Sequence, residues 1–371
     1  MLRLLDVPTS GAIHKRLEVQ SFIKTPFFIN CINPPYFLLE EKMKKLYLFA
    51  SLITVFGLVL TACGAPSTES PAVTQPPEAT EPPATGAPAA GDLLAAIQAR
   101  GTLVGFTDPA YPPQSSLKDN PQRTEGTKCA ADEKTLGELE GIDIDVTAAI
   151  AEALGVEACF VTPDWGMLVA GGWSDRWDIA VGSVTITPER AELLYFAQPY
   201  KNIPAAVYVN ADNTTYSAPA DLSGKKVGVC SGCTYESYLN QTLVIPGVPD
   251  IEYAITDADI KGYDTDTTAL QDLALGDGLR LDGVITAQPT GEKFIQDGGA
   301  VKRIGDPIYY EFDAPAFDRR SSMDSTSLLA KVTEIIQGLH ADGTLQEFSM
   351  KWYEADYTSA AADFDTSLLN K

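Results

Sequence analysis

Histidine is almost missing from this sequence: the 371 residues hold 2, His14 and His340. With so few, the single Cys-x-x-Cys at Cys230-Ser231-Gly232-Cys233 cannot be completed into a four-ligand zinc site, and it does not match a thioredoxin-like sequence either. Positive charge is also short. Lys and Arg number 27 against 50 Asp and Glu, and the net charge of -23 excludes nucleic acid and acidic lipid surfaces as partners. The apolar run from Leu46 to Leu60 is too short for a comfortable membrane span.

That run has a different meaning. Met43, Lys44 and Lys45 precede it and Leu60-Thr61-Ala62-Cys63 ends it, the arrangement of a signal peptide with a small-residue cleavage site. A cysteine directly after the small residues resembles the lipobox of bacterial lipoproteins, which implies lipidation of Cys63 and an anchor in the cell membrane. Residues 1–42 lie upstream of the signal and are expected to be a start called too early, without function. Residues 64–91 are rich in Pro, Ala, Thr and Glu with no apolar periodicity, so they are expected to form an extended tether. At roughly 3.1 Å per residue in polyproline geometry, the tether holds a domain several tens of Å from the surface.

From Asp92 to Lys371 the chain is long enough for two lobes. Short apolar strands alternate there with amphipathic helices, the pattern of α/β architecture. Strands are expected at Thr102–Phe106, Cys159–Val161 and Trp177–Gly182, then at Ala205–Val209, Lys225–Cys230, Ile251–Ile255 and Asp282–Thr286. Asp145 is expected to cap a helix that Gly155 ends, further helices start near Thr234 and Thr268, and a last one places Leu329, Val332, Ile336 and Leu339 on one face.

Of six cysteines, Cys129, Cys159, Cys230 and Cys233 remain as an even set once the leader's Cys31 and Cys63 are set aside. Two disulfides are possible, Cys230 with Cys233 across a strand–helix junction and Cys129 with Cys159 tying down an insertion from Ser115 to Glu140. A redox-active dithiol at Cys230 and Cys233 is the weaker alternative.

Thr185-Ile186-Thr187-Pro188-Glu189-Arg190 builds an anion-binding corner. Thr187 caps the helix, Pro188 suits its first position, and Arg190 falls in the first turn, where a cation opposes the macrodipole unless an anion compensates it.

In order along the chain stand Thr107 to Pro113, Gly141 to Asp145, Thr185 to Arg190, Phe196 to Tyr200, Asp221 to Val229, and His340 to Thr344 with Lys351-Trp352-Tyr353. This ordered set resembles the family 3 extracellular solute-binding proteins, the amino-acid-binding components of ABC importers. The resemblance implies a type II periplasmic-binding-protein fold, two α/β lobes joined by two crossovers, with lobe 1 at about 92–203 plus 308–371 and lobe 2 at about 204–307. It also implies a monomer outside the cytoplasm that binds a small polar amino acid or carboxylate, passes it to the permease subunits of an ABC importer, and needs no cofactor or metal.

The resemblance further implies site residues. Arg190 corresponds to the arginine that grips the ligand α-carboxylate bidentately, Thr185 and Thr234 to donors beside it from the two lobes, and Ser183 to the residue meeting the ammonium. Asp108 and Tyr111 correspond to positions that recognise the side chain, Trp165 to an aromatic wall, and Cys230 to a variable specificity contact. Each has a plainer role available: a turn for Asp108, core packing for Tyr111 and Trp165, a helix cap for Thr234. Two departures stand out. Ala287 replaces the aspartate that commonly pairs with the ligand ammonium, and Gln114 replaces the usual phenylalanine after Pro113. The same fold also hosts dehydratases of prephenate or arogenate, which need a placed general acid and base.

Overall fold

The computed structural model describes residues 91–248 and 251–369. The leader, the apolar segment with Cys63 and the tether up to residue 90 lie outside the described residues. Asp92 starts the first helix, α1 (Leu93–Arg100), by accepting from the Ala95 N–H, and Gly101 closes it at φ 80°. β1 (Thr102–Phe106) follows, buried at every position. Short strands β2 (Ala110–Tyr111), β3 (Ser115–Leu117) and β4 (Leu139–Glu140) form a small antiparallel sheet bounding the insertion. The Cys129–Cys159 disulfide pins that insertion to β5 (Glu157–Val161).

Between β4 and β5 runs α2 (Ile142–Leu154), whose N-cap is Gly141. Asp145 therefore sits inside the first turn instead of capping the helix. There it accepts from Lys351 and from the Trp352 indole, each at 2.7 Å, so tertiary partners hold a side chain that sequence alone assigned to a cap. Then come α3 (Trp165–Val169), β6 (Ile179–Ala180), the single-turn α4 (Pro188–Ala191) and β7 (Leu194–Phe196).

The chain next crosses on β8 (Lys201–Asn210) into a second sheet with β9 (Lys226–Cys230), α5 (Thr234–Leu239), β10 (Asp259–Tyr263), α6 (Asp266–Ala274), β11 (Gly283–Ala287) and α7 (Gln288–Gln296). It returns on β12 (Val301–Asp313) to β13 (Ala316–Asp318), then α8 (Thr326–Ala341), α9 (Thr344–Tyr353) and α10 (Ser359–Ala362). On α8, Val332 and Ile336 are buried and Leu329 and Leu339 pack against the same core, as the helical spacing predicts.

Ile251–Ile255 is not a strand. Ile255 and its neighbours pack into the second lobe's core as irregular chain, while the real strand is the polar, partly exposed β10. Among the described residues β10 pairs only with β9 at the sheet's edge, and edge strands carry charge that an apolar search misses.

The first sheet has the order β5-β1-β6-β13-β7 and the second β10-β9-β11-β8-β12. β1 lies parallel between β5 and β6, and β9 lies parallel between β10 and β11. Chain connections diverge on either side of each central strand, and such switch points open a crevice at the strands' carboxyl ends. Both sheets place their loops there. The two crossovers pair antiparallel, from Lys201 opposite Asp313 to Asn210 opposite Val301.

A buried ion cluster sits where these crossovers leave the first lobe. Lys201, with no exposed surface, donates to Asp143 on α2 at 2.8 Å and lies 3.8 Å from Asp313 on β12. Its ammonium also meets the Ser183 hydroxyl at 2.8 Å and the Tyr353 phenol at 3.3 Å. Removing one partner of such a cluster strands the others in a medium that solvates them poorly. Lys201→Met is therefore expected to cost ~3–5 kcal/mol in urea unfolding near neutral pH, whereas a loss under about 1 kcal/mol would show that the cluster does not hold the crossovers.

Candidate functional site

Between the lobes lies a cavity lined from both of them. The first lobe contributes Asp108, Tyr111, Trp165, Gly182, Ser183, Thr185 and Arg190, and the second Cys230, Cys233, Thr234, Tyr235 and Asp266, with Glu311 on the returning crossover. All eight residues expected to bind ligand thus fall in one wall, together with four side chains not singled out beforehand: Cys233 (marked only for its bridge), Tyr235, Asp266 and Glu311.

Arg190 is nine-tenths buried, and Thr187 orders its backbone by accepting the Arg190 N–H at 3.2 Å. α4 spans only four residues, so its dipole is slight and the macrodipole argument carries little weight here. Carbonyls aim the guanidinium instead: Nη1 donates to Thr185 O at 3.0 Å and Nη2 to Gly232 O of the opposite lobe at 3.2 Å. Its carbon stands 5.2 Å from the Trp165 ring centre, a cation–π contact. A guanidinium has five N–H donors, so the carbonyls leave donors for an anion.

Glu311 faces this cation and takes the hydroxyls expected to serve a ligand. It accepts from Thr185 Oγ1 at 3.0 Å, from Tyr235 at 3.1 Å, and from Thr234 Oγ1, spanning both lobes. Burial pushes its carboxyl upward, and the Thr234 and Thr185 hydroxyls, Arg190 and Tyr235 pull it down. Burial likewise raises the Tyr235 phenol well above its ordinary range, so it stays a neutral donor.

The Ser183 hydroxyl turns away from the cavity, donating to Asp143 at 2.8 Å and accepting from Lys201. The backbone of Ser183 stands at φ 55°, in the left-handed region, with its N–H on the Tyr200 phenol at 3.0 Å. What this residue can offer a ligand is its carbonyl. Asp108 accepts from the Ala110 N–H at 2.9 Å to make the turn, and it also lines the cavity. Burial raises its carboxyl.

The lobes are closed on each other. Tyr111 and Tyr235 share a hydroxyl contact of 3.0 Å, Thr267 donates to Ala110 O at 2.8 Å, and Gln114 donates to Thr290 at 3.1 Å. That last contact gives Gln114 a job phenylalanine could not do, joining the lobes beside the cavity. Cys230 and Cys233 are bridged and form part of the wall.

The family model of the bacterial extracellular solute-binding proteins, family 3, matches residues 103–355. The chain belongs to this family. It is 30% identical over 268 residues to the L-cystine-binding protein TcyJ of Escherichia coli (strain K12), covering 72% of this chain and 88% of that one. It is 28% identical over 220 residues to ABC transporter arginine-binding protein 1 of the same strain, covering 58% and 82%. Among solved structures, an ancestral arginine-binding protein bound to arginine superposes with a TM-score of 0.55 at 27% identity, over 68% of this chain and 98% of that one. The ancestral amino acid-binding protein AncCDT-1, a precursor of cyclohexadienyl dehydratase, gives 0.56 at 26%, over 70% and 99%. The architecture is that of the type II periplasmic binding proteins.

Glu311 was legible in principle. Tyr309, Glu311 and Asp313 alternate onto the buried face of β12, so two acids mark a strand that should bury apolar groups. Asp266 had no such signal, because an aspartate at the start of a helix is ordinary.

These buried acids set an unusual pH dependence. Burial, the largest cause, raises Asp266 from 3.8 to about 7 and Asp313 from 3.8 to about 8. The folded chain keeps protons that the unfolded chain releases once pH exceeds about 4, so stability falls as pH rises toward 8 and then levels. Urea unfolding of the ligand-free protein should therefore show more stability near pH 5 than near pH 8, by a few kcal/mol. A rise over that interval contradicts the assignment.

Proposed function

We propose that this protein is a lipid-anchored receptor outside the cytoplasm, monomeric, that closes two lobes on a small polar amino acid or related carboxylate and delivers it to an ABC importer. Lobe 1 is taken as about 92–203 plus 308–371 and lobe 2 as about 204–307. The observation that carries the reading is the buried Arg190, aimed into the cavity wall by one carbonyl from each lobe. A guanidinium so placed suits a carboxylate, whose two oxygens match its planar fork. Trp165 packs over its face and excludes water, which strengthens the attraction.

Closure and binding then depend on each other. The Arg190–Gly232 contact forms only when the lobes meet, and an anion on Arg190 is shielded from solvent only in that state. In this reading Thr185 and Thr234 serve the ligand carboxylate when Glu311 yields their hydroxyls, and the Ser183 carbonyl meets the ammonium. Cys230 and Cys233 shape the wall beside Tyr111, Trp165 and Asp108, where the ligand side chain lies. The relatives named for cystine and arginine binding support the amino-acid class. No catalytic step is assigned: incubation with prephenate or arogenate should yield no aromatic product, and its appearance would favour a dehydratase.

A thermal-shift screen of amino acids and organic acids identifies the ligand, since about a hundredfold excess over the dissociation constant adds ~2.7 kcal/mol. Arg190→Ala should then weaken binding by at least about thirtyfold in calorimetry, because truncating one partner of a buried charge pair costs ~2–5 kcal/mol. Unchanged affinity would remove the carboxylate clamp. For the anchor, the exported protein should partition into detergent and a Cys63→Ser form should not; an intact Met1 peptide on the exported protein contradicts the lipobox.

A further inference from the structure

We propose that Asp266, at the first position of α6, is the carboxylate that pairs with the ligand's ammonium, doing from a neighbouring element what Ala287 cannot do from the end of β11. This rests on the amino-acid-binding reading above and narrows it to ligands with a free ammonium. Ala287 has a methyl group where the resemblance implies an acid, and an ammonium taken into a closed cavity without a partner is severely penalised. Asp266 lines the cavity on the wall opposite Arg190's lobe and is nine-tenths buried. Its Oδ1 has no hydrogen-bond partner among the described residues. A buried carboxylate oxygen left unmatched points to a group that arrives with the ligand.

Its surroundings agree. A carboxylate oxygen of Asp266 lies within 4.8 Å of both sulfurs of the Cys230–Cys233 bridge, so it stands in the wall itself. The Thr286 hydroxyl on β11 stands close enough to favour the ionised form, yet neither it nor Asp266 Oδ1 makes a hydrogen bond of good geometry among the described residues. The charges facing it are Asp108 from the loop after β1 and Glu311 from β12, with Arg190, Tyr111 and Tyr235 on the same cavity. One cation, Arg190, shares this cavity with the acids Asp108, Asp266 and Glu311. A zwitterion answers both signs, its carboxylate on Arg190 and its ammonium on Asp266. A simple carboxylic acid answers only the first.

The test uses calorimetry with the proteinogenic L-amino acids and L-cystine, each beside its deaminated acid. The tightest amino acid should bind Asp266→Asn at least about thirtyfold more weakly than the parent, while its deaminated acid binds the variant no worse. Thermal unfolding of ligand-free Asp266→Asn should be no lower than the parent's, which separates lost binding from lost folding. The parent alone supplies a second readout: amino-acid affinity should fall below about pH 7, by up to tenfold per unit, as Asp266 takes up its proton. Parent-like affinity in Asp266→Asn, or affinity independent of pH between about 8 and 5, overturns the proposal. If only deaminated acids bind, the ammonium site falls while the Arg190 clamp stands; if Arg190→Ala binds as the parent does, the clamp itself falls.

Discussion

A guanidinium taken out of water between two lobes has to be matched from both of them, and Arg190 is matched by the Thr185 carbonyl on one side and the Gly232 carbonyl on the other. Neutral carbonyls orient it without cancelling its charge. The nearest compensating charge is Glu311, which belongs to the strand that carries the chain back between the lobes. The cation thus couples the cleft to the crossovers. Any anion that binds it competes with Glu311, and any opening of the lobes separates it from Gly232.

The same economy of charge runs through the crossovers. Lys201 and Asp313 face each other across the paired strands, and Asp143 reaches them from α2. Ser183 connects this cluster to the cavity, with its hydroxyl on Asp143 and Lys201 while the residue itself lines the ligand side. Cavity wall and crossovers therefore share one hydrogen-bonded unit. A shift of β12 that moves Asp313 also moves Glu311 two residues away, on the same face of the strand.

Much of this was legible because the site is made of local corners. The corner from Thr185 to Arg190 was legible from its own residues, Asp108, Ser183 and Thr234 were implied by the resemblance, and all of them line one cavity. What sequence missed depends on distant chain. Asp145 looked like a cap until Lys351 and Trp352 arrived to occupy it, and β10 was hidden by the polarity of an edge. Asp266 reads as an ordinary helix start, and only the packing of α6 against β9 and β11 turns it into a buried acid on the cavity.

A crystal structure of the protein with its tightest amino acid tests the central claim most directly. The account predicts a closed cleft with the ligand carboxylate on the Arg190 guanidinium, beneath Trp165, and the ammonium within hydrogen-bond distance of Asp266. A ligand bound outside the cleft, or inside it with Arg190 still facing only Glu311 and the two carbonyls, would contradict it.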